Sequence, residues 1–213
     1  MPRPSRNVDA RLLAAGRELY PDTGAAGLSV RKVAERAGVN LGMLHYHFRS
    51  KDAFVRALLQ SLYEGMFAEL TVAAAEPGPP LAALRGALLV IARFGRNNRL
   101  LLRRLLMDAA GGEPAAVEFL RGNIPRHLAI VVGLIAAGQR TGALKPVPLA
   151  QAAAFLAGAV AGPILVGSAL ADSDVAPEGV AARFELDVLS DAALAERVDM
   201  ALAGLAREAG AVP

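Results

Sequence analysis

The chain has 213 residues, a formal net charge of +3 and no cysteine. That length allows one or two domains with a substantial core, and the missing thiols exclude disulfides, thiolate metal sites and thiol catalysis. Hydrophobic residues make up 54% against only 5% aromatics, with alanine and leucine dominant and no run alternating with period two over a strand's length, so the composition is that of an all-α protein.

The absence of cysteine fits a reducing cytoplasm. The N-terminal "MPRPSRNVDARLL" passes directly into a charged amphipathic segment with no apolar h-region, so no signal peptide and a cytoplasmic location are expected. Charge is distributed unevenly. Residues 1–56 hold ten basic and five acidic side chains, while the other 157 hold thirteen basic and fifteen acidic. A basic head on a slightly acidic body suggests that the head meets a polyanion.

About nine helices are predicted from the breakers. The first starts at Asn7, carries Val8, Leu12, Ala15 and Leu19 at spacings of three and four, and ends at "PDTGAAG". Ser29 caps a second, "VRKVAERA", which Gly38 ends; a short third covers about Leu41–Tyr46. Ser50 caps a long fourth helix with Asp52 in its first turn, reaching about Ala75 before "EPGPP". Longer helices follow at about 81–95, 98–110, 114–139, 148–171 and 185–208, with 171–182 read as a loop. The expected layout is a three-helix head, residues 1–50, and a helical-bundle body, residues 51–213.

Within the head, residues 29–48, "SVRKVAERAGVNLGMLHYHF", have the geometry of a helix-turn-helix. A capped helix ends in Ala37-Gly38-Val39, the glycine permits a sharp turn, and a second helix starts almost at once. Leu44 and Phe48, four apart, share the inward face with Val33 and Val39, which leaves Leu41, Met43, His45 and Tyr46 outward. His45 and His47 cannot chelate one ion, because helical residues two apart diverge by about 200°. No metal site and no cofactor are expected.

The stretch "LYPDTGAAGLSVRKVAERAGVNLGMLHYHFRSKDAFVRALL", residues 19–59, resembles the TetR (tetracycline-repressor) family of bacterial transcriptional regulators. Val33-Ala34, Ala37-Gly38-Val39, Gly42, Leu44, His47-Phe48 and Lys51 fall in step with that family's pattern. Asn40, His45 and Phe54 depart from the usual Ser, Tyr and Leu. The resemblance implies a DNA-binding head and a body that binds a small effector and dimerises.

It also implies roles at the matching positions. Ser29 would meet a phosphate, Arg31 would reach guanine in the major groove, and Leu41, Gly42 and Met43 would form the leading edge of the recognition helix. His45 would face bases where a tyrosine is usual, while Tyr46, His47 and Lys51 would hold phosphates. In the body, Tyr63, Phe67, Phe94, Met107, Phe119, His127 and Phe155 are candidate liners of an apolar or aromatic effector's pocket. Ala153, Ala157 and Ala161, with Leu194, Val198, Leu202 and Leu205, are the expected dimer interface. The partners implied are a palindromic duplex DNA operator, a small-molecule effector and a second copy of the chain.

An enzyme is not expected, since the chain has no phosphate loop or Ser-His-Asp set. The alternative is a membrane-associated helical protein anchored by residues 148–171, which carry no charge. That segment is built from Ala and Gly, with Gln151 and a central Pro163 and no aromatic belt. Burial within a dimer accounts for it better, and no membrane contact is expected.

Overall fold

A computed structural model describes residues 6–174 and 176–207. Among the described residues, regular structure is helical apart from an isolated antiparallel bridge between Leu144 and Ala206. The head consists of α1 (Arg6–Gly27), α2 (Val30–Ala37), α3 (Leu41–Phe48) and the start of α4 (Lys51–Ala75). There follow α5 (Pro80–Asn97), α6 (Arg99–Ala110), α7 (Pro114–Arg140) and α8 (Leu149–Gly162), then a π turn (Pro163–Gly167), α9 (Ser168–Ala171), α10 (Val180–Asp187) and α11 (Asp191–Leu205).

By compactness the chain divides into two units, Met1–Gly65 with Leu100–Ile124, and Met66–Arg99 with Pro125–Pro213. The first unit therefore includes α6 and the start of α7. It is built around Leu12, Tyr20, Val33, Leu44, Phe54, Leu58, Leu101 and Leu105, each at most 4% exposed.

α1 is already helical at Arg6, and the expected cap, the Asn7 side chain, lies outside the described residues. Its regular run is broken by a kink at Gly24, where φ is +63°, inside the "PDTGAAG" stretch at which the helix is expected to end, and a further turn carries it to Gly27. A Cβ at Gly24 would sit 2.3–2.5 Å from side-chain atoms of Arg104 and Asp108, so this position needs glycine for both its backbone angle and its space.

The reason for that crowding is a buried carboxylate. Asp108 of α6, 8% exposed, accepts hydrogen bonds from the Tyr20 hydroxyl (2.8 Å), the Ala25 backbone N–H (2.8 Å) and Arg104 Nε (2.8 Å). Burial pushes the Asp108 carboxyl pKa up, but the donors Ala25, Tyr20 and Arg104 outweigh it, and the net direction is downward. Burial and the neighbouring carboxylate push the Tyr20 phenol well above its ordinary value. The kink at the end of α1 is thus clamped to α6.

Elsewhere in α1, Gly16 touches the ring of fully buried Phe54. A Cβ on Gly16 would lie 2.7 Å from Phe54 Cζ. Phenylalanine at 54 is accommodated because the facing helix position carries no side chain.

The second unit packs α11 against both α5 and α8. Its core includes Leu84, Leu88, Ile135, Leu156, Val160, Ile164, Leu194 and Val198. Arg85 of α5 pairs bidentately with Asp199 of α11 at 2.6 and 2.9 Å, and Arg96 reaches both Asp191 (3.0 Å) and the Leu189 carbonyl (3.1 Å).

The expected single helix at 185–208 is two helices. Ser190 opens the second of them, its hydroxyl accepting from Ala193 N–H at 3.2 Å, so the chain breaks between α10 and α11 at a Ser–Asp capping signal. Pro163, lacking an N–H to continue the α8 ladder, opens the π turn, in which the Ser168 N–H reaches the Pro163 carbonyl.

The expected dimer residues need correction. Leu194, Val198, Leu202 and Leu205 are at most 9% exposed and lie in this unit's own core, as does Ala153. Their heptad-like spacing marks the stripe that packs on α5 and α8 within one chain. Ala157 is exposed and Ala161 half-buried. Phe155, Val166, Leu170 and Met200, 46–62% exposed, form the outward apolar residues of α8, α9, the π turn and α11.

Leu149–Ala171 and Pro114–Arg140 are long and apolar enough to cross a membrane by length and composition, a test that core helices of soluble proteins also pass. Leu149–Ala171 buries Ala152, Leu156, Val160 and Ile164 in the unit's core. On α11, Arg197 is half-buried. Its Nε and Nη2 are enclosed with no hydrogen-bond partner among the described residues, and burial pushes its pKa down.

Three stability measurements test this packing. Gly16→Ala should lower stability by about 1–3 kcal/mol through overpacking, and Phe54→Leu in the same chain should recover most of that loss in denaturant melts. Asp108→Asn should cost about 1.5–3 kcal/mol at pH 7. Because the folded pKa lies below the unfolded one, the carboxylate's contribution is full above about pH 4 and is lost as pH falls through the folded value, so the gap between variant and parent should close in acid. Arg197→Met, which removes a half-buried unpaired charge while keeping its stem volume, should raise stability by about 1 kcal/mol or more.

Candidate nucleic-acid interface

The head presents α3 through a chain of caps. Ser29 holds an extended backbone before α2, and its hydroxyl accepts from Lys32 N–H at a long 3.4 Å. Gly38 ends α2 in the left-handed region, and Arg11 of α1 donates from Nη2 to the carbonyls of Ala37 and Gly38, two of the carbonyls that the end of α2 leaves open. Asn40, the departure from serine, caps as a serine would, its side chain accepting from Gly42 N–H at 2.8 Å to start α3. The Ser50 hydroxyl accepts from Ala53 N–H at 3.1 Å and starts α4.

Packing then fixes which side of α3 faces out. Leu44 is fully buried, and the Phe48 ring lies edge-on to Phe54 with centroids 5.0 Å apart. Leu41 (36%), Gly42, His45 and Tyr46 (67%) remain exposed. Met43 differs from the outward placement expected of it: it is half-buried, so only part of its side chain is open.

The expected phosphate and base contacts are not equally open. Arg31 is exposed and pairs with Glu35 one turn on, at 3.1 Å; such a surface pair contributes only about 0.3–0.5 kcal/mol and exchanges easily for a base edge. Lys51 already donates to the Ala26 carbonyl, tying the start of α4 to the segment after the α1 kink. The His47 Nε2 is enclosed and has no partner among the described residues, and its ring stands edge-on to Tyr46 with centroids 5.4 Å apart. Tyr46 is the aromatic that projects freely.

Among the expected pocket liners, the structure brings Tyr63 and Phe119 together in the first unit, edge-on at 6.0 Å, with the Tyr63 hydroxyl donating to the Asn123 carbonyl at 2.8 Å. Met107, 67% exposed, lies on the outside of α6, since Leu101, Leu105 and Asp108 define that helix's buried stripe. In the second unit, Phe67 is half-buried with the Arg126 guanidinium 4.1 Å from its ring centroid. Phe94 and His127 are half-buried, and Phe155 is exposed beside Gly204. Among the described residues, no three His, Asp or Glu side chains converge as a metal site.

Two residues that shape the head were missed from sequence, Arg11 and Asp108. Their partners lie 26–27 and 83–88 positions away along the chain, beyond any local pattern. The Asn40 cap was available as a signal, because Asn before a helix start is a strong N-cap.

Comparison with known proteins agrees with this head. Residues 12–58 match the model of the tetR family of bacterial regulatory proteins. The HTH-type transcriptional regulator RutR of Escherichia coli K12 is 29% identical over 146 residues, 67% of this chain and 68% of RutR. The tetracycline repressor protein class A from transposon 1721, of Escherichia coli, is 45% identical over 58 residues, 27% of this chain and 25% of that protein. Among solved structures, the TetR family transcriptional regulator PfmR from Thermus thermophilus superimposes with a TM-score of 0.68 at 20% identity, covering 92% of this chain and all of that one, a likeness of fold. With the capped helix pair, the outward face of α3 and these relatives together, residues 12–58 form a DNA-binding head of the tetR family, and the similarities support a TetR-family transcriptional regulator.

Proposed function

We propose that the protein is a homodimeric repressor that leaves a palindromic operator when a small, mainly apolar or aromatic ligand binds its body. Functionally the head, residues 1–50, reads DNA, and residues 51–213 dimerise and hold the effector. The observation that carries the DNA reading is the row of exposed side chains on α3, Leu41, His45 and Tyr46, held outward by buried Leu44 and flanked by exposed Arg31. Apolar Leu41 and the open part of Met43 suit thymine methyl groups, Arg31 suits the O6/N7 edge of guanine, and Tyr46 suits a phosphate.

Two such heads about 34 Å apart read a two-fold symmetric site. The second copy docks on the outward apolar residues of α8 and α11, Phe155 and Met200 among them, together with exposed Ala157. Small residues there let helices approach closely. That occupant also accounts for the apolar composition of Leu149–Ala171 without a membrane.

The test is selection of bound duplexes from a random-sequence pool, followed by titration of variants on the enriched site. Arg31→Ala and Tyr46→Ala should each weaken binding by about 1–3 kcal/mol while sedimentation still shows a dimer. Unchanged titrations for both variants would remove the assignment of α3 as the reading helix.

A further inference from the structure

Arg49 links α3 to α4 and is the one non-glycine among the described residues with a positive φ, +61° with ψ −41°. A side chain in that region crowds its own backbone, and glycine would adopt it without that penalty. The turn itself does not require arginine. Its backbone N–H closes on the His45 carbonyl at 2.9 Å, a bond any residue but proline could make. The side chain is exposed and makes no hydrogen bond or ion pair among the described residues, so nothing inside the head offsets the strained backbone.

The neighbours define what is missing at this end of α3. Lys51 gives its ammonium to the Ala26 carbonyl, and His47 keeps Nε2 enclosed. Both are positions where the family resemblance expects phosphate contacts. The open, unpaired cation between them is Arg49, about one helical turn beyond Tyr46 in sequence.

We propose that Arg49 contacts a DNA backbone phosphate, and that the strained backbone at this position is retained to carry that guanidinium. The inference rests on the reading of α3 as the DNA-facing helix. A guanidinium suits such a contact because it presents a planar fork of donors to phosphate oxygens and stays charged at any working pH. The contact is independent of base sequence, so its effect extends to any duplex.

The experiment uses the full chain and a mixed-sequence duplex, with binding titrated across a salt series, beside thermal melts of the free protein. Arg49→Gly should melt higher than the parent yet bind the duplex several-fold to about thirtyfold more weakly, with the salt slope shallower by about one phosphate contact. Arg49→Lys should keep the parent's salt slope. Parent-like affinity and slope for Arg49→Gly, with the parent itself binding in a salt-dependent manner, would overturn the role of Arg49 and leave the reading of α3 intact. A parent protein that fails to bind duplex at low salt would overturn the reading of α3, and this inference with it.

Discussion

The carboxylate of Asp108 is the constraint on which the geometry of the first unit depends. A single buried group accepts from a phenol, a backbone amide and a guanidinium, and these donors come from either side of the α1 kink and from α6. An ionised carboxylate in such a place is tolerable only because its acceptor sites are filled. The consequence is directional. Ala25 is fixed by Asp108 and Ala26 by Lys51, so the few residues leading to Ser29 are anchored on both sides before α2 begins. The orientation of α2, and through Gly38 that of α3, is inherited from contacts that never touch the outward face.

The sequence made the head legible because its signals are local. Caps at Ser29 and Ser50, the glycine turn at Gly38 and the inward pair Leu44 and Phe48 all act within one or two helical turns, and the structure has each of them in place. The signals that were not legible act over distance. Arg11 and Asp108 reach partners that only the fold brings near, and the burial of Met43 depends on how closely α3 seats on its neighbours. The end of α1 was legible as the stretch "PDTGAAG", but that its break falls at Gly24 follows from Arg104 and Asp108, which lie where a side chain there would be.

In the second unit, the same pattern-reading misled for a physical reason. A stripe of leucine and valine at heptad spacing states that a helix face is buried, but it does not state by what. On α11 the burying surface is the chain's own α5 and α8, with Arg85–Asp199 and Arg96–Asp191 closing one edge of the layer. The residues left facing out are set by a different device. Pro163 ends the regular ladder of α8, and the π turn alters the angular phase of the residues beyond it, so that Val166 and Leu170 emerge on the surface where an uninterrupted helix would place other side chains.

The contact between Gly16 and Phe54 makes two positions far apart in the chain interchangeable only as a pair. The phenylalanine ring fills the space that a Cβ at position 16 would need, so a side chain there would have to be absorbed as a clash in a close-packed core. Glycine itself brings only the milder weakening of a flexible residue within a helix. The volume of the first unit's core is therefore shared out between α1 and α4, and neither position can be exchanged without regard to the other.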